Sequence, residues 1–270
     1  MSNSSSDGLE LIEAAAMVDM CTSAPPAVSR ALGLQARHFG SAVAQMATHA
    51  NVALFNRVVG LGLTEPVTEA LLDDIMALYL PTGNMFMVQV VPHAQPATLS
   101  EWLMARGFLA HGNWTKLQRG PEPLPVTTDL RVEPVGPEYA EVFAEIVSLA
   151  YGIPPEEVAL RLFMQSIVGR AGWQTFMAFD GARPIGTGAL FVRDKVGWLG
   201  FAATLPEARR RGAQSALLAR RIQTATALGC HRLVVEVTED TPARPNPSSR
   251  NVQRAGFQIA YQRHNFIYPQ

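Results

Sequence analysis

"FAATLPEARRRGAQSALL", residues 201–218, decides how this chain is read. An apolar run, a proline, three consecutive arginines and a glycine lead into apolar residues at helical spacing, so the segment is a strand, a tight loop and a helix start. The first N–H groups of a helix lack intrahelical partners, and the dipole there favours negative charge. Gly212 and Ala213 let a ligand approach the backbone closely, and Ser215 can donate a further bond. Arg209, Arg210 and Arg211 at that positive end would oppose the helix unless an anion offset them. Their planar forks suit phosphate oxygens. Neither GxxxxGK[ST] nor GxGxxG is present, so the loop belongs to neither of those phosphate-binding types.

The flanks fit. Upstream, "WQTFMAFDGARPIGTGALFVRDKVGWLGFAAT" (173–204) holds short apolar runs with turn signals at Asp180-Gly181 and Asp194-Lys195, which predicts a meander of strands. Downstream, Leu217, Leu218, Ile222, Ala225 and Leu228 keep one helical stripe, and Gly229 is a natural stop. Further out, "DLRVEPV" (129–135) reads as a strand, and 137–152 and 154–169 read as helices. "HRLVVEVTED" (231–240) is a buried strand, "NPSSRNVQRAGF" (246–257) a short helix and "FQIAYQRHNFIY" (257–268) a closing strand.

"GPEPLPVTTD" (120–129) carries Pro121, Pro123 and Pro125 and reads as a linker. Before it the same kind of unit recurs: a helix at 9–20, a strand at 51–63, a helix at 64–80 opened by Thr64, Glu65 and Pro66, a strand at 85–92, and a helix running into a strand at 98–118. "WLMARGFLAHGNWTKL" and "NVQRAGFQIAYQRHNFI" both place a helix before Gly-Phe and then a strand carrying Asn. Where the second copy has its arginines and glycine, the first has "TEPVTEA" (64–70), which cannot repeat the same anion chemistry.

The whole chain sets bounds. Its 270 residues are 48% hydrophobic and 17% charged with a formal net charge of −1, a globular composition that speaks against a general nucleic-acid or membrane-surface binder. Cys21 and Cys230 show no CxxC spacing, the start "MSNSSSDG" is not basic-then-apolar, and no apolar run is long enough to span a bilayer. A cytoplasmic location is expected. The histidines show no ligand spacing, so no metal is expected.

The opening segment resembles the acetyl-CoA-binding motif of the GNAT superfamily of N-acetyltransferases, in which a strand and a proline precede an R/Q-x-x-G-x-G/A loop and a helix. "SSRNVQRAGF" (248–257) resembles that family's later helix and its Gly-Phe ending, and the resemblance spans residues 129–268. It implies that the backbone of Phe201, Ala202, Ala203 and Thr204 pairs with the pantetheine arm like an added strand. Arg209, Arg210, Arg211, Gly212, Ala213, Gln214 and Ser215 would then hold the diphosphate, and Ser248 or Asn251 would touch the arm. Gln214 replaces the family's second glycine, which narrows the space. The tyrosine that often protonates the leaving thiolate falls on or near Val252, which leaves Tyr261, water or no enzyme group for that step. The tandem order resembles double-GNAT proteins in which one copy has lost CoA binding, here the first.

The expected protein is therefore α/β with a mixed sheet and two GNAT-like units: a disordered tail at 1–8, a degenerate copy at 9–120, a linker at 121–128 and an acetyltransferase domain at 129–270. It would move an acetyl group from acetyl-CoA to an amine of a small-molecule or peptide acceptor, as a monomer or homodimer, without nucleic acid or membrane. Glu236, among valines in the strand expected beside the thioester, is the candidate general base, against the alternative that it pairs with Arg232 or Arg250. Tyr151 and Gly152 are candidates for acceptor contact. Cys230 could be acylated, although at the start of a buried strand it reads as a small hydrophobe. Rival readings are an acyl-CoA sensor without turnover and an interaction protein docking through its arginines.

Overall fold

The computed structural model describes residues 4–125 and 128–269. The chain divides into two compact units, Met1–Lys116 with Ala260–Gln270, and Leu117–Ile259.

The first unit contains α1 (Ser4–Thr22), α2 (Pro26–Leu32), β1 (Leu34–Phe39), β2 (Ala42–Ala47), β3 (Arg57–Val59), α3 (Glu69–Tyr79), β4 (Phe86–Val90), α4 (Leu99–Ala105) and β5 (Leu109–Arg119). Of the tail expected over 1–8, residues 1–3 lie outside the described residues and the rest is already helical. β1, β2 and β3 form an antiparallel meander, and β3 pairs parallel with β4. The β1–β2 hairpin has no counterpart in the sequence reading. Every residue of β2 is buried, Gln45 included, so the strand shows no period-two alternation of polar and apolar side chains. α3 starts later than Thr64, Glu65 and Pro66 suggest. Val67 N–H is drawn to Gln95 O at 2.8 Å, and the Thr68 hydroxyl oxygen accepts from Leu71 N–H at 3.2 Å as the actual cap. The core packs Val58, Leu72, Ile75, Phe86, Val88 and Leu103 together, with Tyr79 stacked on Phe86 at 4.3 Å.

The second unit contains β6 (Arg131–Pro134), α5 (Ala140–Tyr151), α6 (Val158–Gln165), β7 (Trp173–Asp180), β8 (Arg183–Arg193), β9 (Val196–Thr204), α7 (Ala213–Ala227), β10 (Arg232–Thr238) and α8 (Pro247–Arg254), and β11 (Gln258–Tyr268) follows. β6 to β9 pair antiparallel in sequence order, and β9 pairs parallel with β10. β8 is buried through most of its length and meets both α5 and α7, so helices cover the sheet on both faces. Leu217, Leu218, Ile222 and Ala225 of α7 pack on Leu190, Leu199 and Leu233 as the stripe requires, whereas Leu228 is exposed.

The order β1–β2–β3–α3–β4–α4–β5 recurs as β7–β8–β9–α7–β10–α8–β11, with a parallel strand pair around the middle helix in each. The closing strand departs from the expected division. From Ala260 it belongs to the first unit, where His264–Tyr268 pair antiparallel with Val90–Phe86 and Phe266 joins that core. The chain changes units at Lys116, ahead of the proline segment, rather than within 121–128.

This strand also completes a buried ion cluster. Glu10 and Glu13 of α1, Lys116 of β5 and Arg263 of β11 are fully buried, and Arg57 of β3 is nearly so. Arg263 Nη1 lies 2.9 Å from Glu10 and 2.7 Å from Glu13, Lys116 Nζ lies 2.5 Å from Glu13, and Arg57 Nη1 lies 3.0 Å from Glu13. Burial alone would raise both carboxyls, but Arg263 and Lys116 outweigh it and hold Glu10 below, and Glu13 well below, the ordinary carboxylate value.

Candidate functional site

The site grows from two irregularities in β9. The strand pairs with β8 from Arg193↔Val196 to Ala189↔Gly200, and then the register slips so that Thr187 faces Ala203. β9 carries one residue more than β8 across this step. Phe201 adopts φ +52°, and Thr187 Oγ1 donates to its carbonyl at 3.0 Å. On its other side β9 pairs with β10 only at Val196–Trp198 against Arg232–Val234. Beyond those residues the two parallel strands part, leaving backbone groups without a ladder partner at their carboxyl ends, where open α/β sheets receive ligands.

The arginine loop stands at the mouth of this gap. Arg209 is extended, Arg210 takes φ +62° and Gly212 takes φ +84° as the residue before α7. A Cβ at Gly212 would have space, meeting only Thr128 Oγ1 at 3.8 Å, so the positive φ is what calls for glycine there. Ala216 N–H makes a helical bond to Gly212 O at 3.0 Å, and the N–H groups of Ala213, Gln214 and Ser215 come before it.

Around them lies a cavity of about 850 Å³. Ala202, Ala203 and Thr204 form one wall, and Arg209, Arg210, Gly212, Ala213, Gln214 and Ser215 another. α8 supplies Ser248 and Asn251, held in place because Asn246 caps the helix by accepting from the N–H of Ser248 and Ser249. Gln214 fills the space a glycine would leave empty: its amide donates to Ser248 Oγ, and Asn251 Nδ2 donates to its Oε1 at 2.7 Å. The departure from the family pattern therefore ties α7 to α8.

Arg209, Arg210, Arg221 and Arg254 line the cavity, and among the described residues no carboxylate does. In a chain of net charge −1 this makes a local positive basin. Arg211 is turned away to Asp180 at 2.6 Å, a half-exposed pair whose hydrogen bond holds the Asp180 carboxyl below its usual value. Tyr151 of α5 is on the wall, while Gly152 only ends that helix. Phe201 sends its side chain into an aromatic cluster with Trp173 and Trp198.

Neither expected catalytic group lines the cavity. Glu236 accepts from Trp198 Nε1–H at 2.9 Å and 3.2 Å through its two oxygens, and Arg250 pairs with Asp240 at 2.7 Å instead of with it. Tyr261 belongs to the first unit and donates to Glu10 Oε1 at 2.8 Å. Burial and the Glu10 charge push its hydroxyl pKa far up. Its hydroxyl is engaged by Glu10, and the structure does not bring it to the cavity wall. Cys230 is buried, and burial pushes its thiol pKa up, against a thiolate nucleophile.

Thr187, Arg221, Asn246 and Arg254 also line the cavity and were not singled out from sequence. Asn246 had a legible signal, an Asn-Pro ahead of an amphipathic helix. Among the described residues no group of three or more His, Cys, Asp or Glu could hold a metal ion, and no helix is long and apolar enough to cross a membrane.

Residues 141–246 match the profile of the acetyltransferase (GNAT) family. No curated protein matches the sequence. Among solved structures, a GCN5-related N-acetyltransferase from Kribbella flavida aligns with a TM-score of 0.64 and 16% identity over 94% of this chain and 96% of its own. One from Sphaerobacter thermophilus aligns at 0.61 and 16% identity over 84% and 76%. A tandem GNAT protein from the clavulanic acid biosynthesis pathway aligns at 0.59 and 16% identity over 99% and 96%. At these identities the likeness is one of fold.

Proposed function

From a chain whose residues 141–246 form an acetyltransferase (GNAT) family domain, we propose an acyl-CoA-dependent N-acetyltransferase that moves the acetyl group of acetyl-CoA to an amine by direct attack. One observation carries the reading: β9 and β10 pair for three residues and part, and the amides of an arginine-flanked helix start stand at the opening. The diphosphate would lie on the N–H groups of Ala213 to Ser215 with the forks of Arg209 and Arg210 on its oxygens. The pantetheine arm would run along Ala202 to Thr204 as an added strand, beside Ser248 and Asn251. An amine attacks only when neutral; Glu236, steadied by Trp198, would accept its proton through water. The C–S bond then breaks and the thiolate takes a proton from water. Tyr151 would meet the acceptor, and the first copy would play a structural part.

Thiol release from acetyl-CoA with a panel of amines tests the reaction. Glu236→Gln is expected to lower kcat about 100-fold with little change in calorimetric CoA affinity. An unchanged kcat would remove Glu236 from the mechanism. A second reading, an acyl-CoA sensor, is favoured by the absence of both expected catalytic groups from the cavity wall. It predicts CoA binding with no thiol release from any amine.

A further inference from the structure

One cation on the cavity wall is not explained by a diphosphate. Arg221 of α7 is 1% exposed and sits on the inward stripe of the helix, four residues from both Leu217 and Ala225. Its Nε donates to Leu217 O at 3.1 Å, and Nη1 reaches the carbonyls of Ala189 and Gly200 at 3.4 Å each, across β8 and β9 beside the bulge. These last bonds are long and weak, and a guanidinium has five donors to satisfy. Among the described residues no carboxylate pairs with it, and burial pushes its pKa down to about 10.

The backbone is built around this side chain. Gly188 lies in the middle of β8, and a Cβ there would fall 2.9 Å from Arg221 Nε and 3.0 Å from Cζ. A glycine inside a strand weakens it, and here its place is taken by the guanidinium. A leucine or methionine would fill the same stripe without burying a charge. Among the described residues no acid lines the cavity, so a carboxylate facing this guanidinium would come with a ligand. Arg221 lies eight residues past Ala213, roughly 12 Å along the helix axis, and its guanidinium is held at the carbonyls of Ala189 and Gly200 rather than at the helix start.

We infer that Arg221 receives a carboxylate borne by one of the two reacting molecules, so that the substrates of this site include an acid. The carboxylate is carried either by the acyl chain of the thioester or by the acceptor, as in an amino acid. The inference rests on the CoA reading of the same cavity. A monodentate or bidentate guanidinium–carboxylate bond at a buried site distinguishes an acid from its neutral match through the charge left unpaired when the neutral one binds.

Matched pairs test this with the intact protein. In one arm, acetyl-CoA is compared with malonyl-CoA and succinyl-CoA against one uncharged amine. In the other, acetyl-CoA is supplied with phenylalanine or with phenethylamine, its counterpart lacking the carboxylate. Thiol release gives kcat/KM, and calorimetric affinity gives the acyl ratio if turnover is absent. One arm is expected to favour the acid on the order of tenfold to hundredfold. Arg221→Gln should bring that ratio to about one, and Arg221→Lys should restore part of it. Equal use of acid and neutral substrates in both arms by the native protein overturns the inference while CoA binding stands. A ratio untouched by Arg221→Gln also overturns it and leaves Arg221 as a tie between β8 and β9. If CoA fails to bind the native protein at all, the CoA reading falls first and the inference with it.

Discussion

Glu13→Ala is expected to destabilise the protein by about 3–5 kcal/mol, read from urea unfolding at neutral pH. Glu13 touches Arg57, Lys116 and Arg263 at 3.0 Å or less, so alanine leaves three buried cations facing Glu10 alone. Removing one partner of a buried ion network costs far more than the network contributes, because the stranded charges keep their desolvation penalty. A loss below about 1 kcal/mol would mean that water reaches the cluster. The pH dependence follows with a fixed sign. Both carboxyls have depressed pKa values in the folded state, so their contribution is fully present above the ordinary carboxylate value of about 4.3. It is lost as pH falls from there through the lower folded values. Acid unfolding of the native protein should therefore flatten in Glu13→Ala, and an unchanged acid limb would contradict the assignment.

The second large effect concerns the loop. The double variant Arg209→Ala/Arg210→Ala is expected to weaken CoA binding about 100-fold or more, since each charge-assisted bond is worth about 1.5–3 kcal/mol. Arg211→Ala should change affinity little, because that side chain is held by Asp180 at 2.6 Å and does not line the cavity. Calorimetry on the three proteins decides it. An Arg211→Ala loss equal to that of the double variant would mean that the loop rearranges around its ligand and that the Asp180 pair is broken in the complex. Affinity unchanged in the double variant would remove the arginines from the site.

The strand–loop–helix segment was legible because its determinants are local. Gly212, the arginines and the stripe from Leu217 to Ala225 lie within one short stretch, and each speaks for the same geometry. What lay hidden depends on partners distant in sequence. Nothing local marks Arg211 as engaged by Asp180, and an arginine at 221 reads as an ordinary solvated helix residue until Gly188 is seen beneath it. Tyr261 and Arg263 alternate along β11 like any strand residues, yet both reach Glu10 from more than 250 positions away. The all-buried β2 gave no periodicity to read.

That last strand has a consequence for how the molecule comes into being. Glu10 and Arg263 are separated by 253 residues, so the helix made among the first must wait for a cation made long afterwards. Until synthesis has passed β11, two carboxylates are short of the strongest of their counter-charges and β4 is short of a neighbour. The opening segment thus lacks part of its neutralising charge and one strand neighbour through most of synthesis.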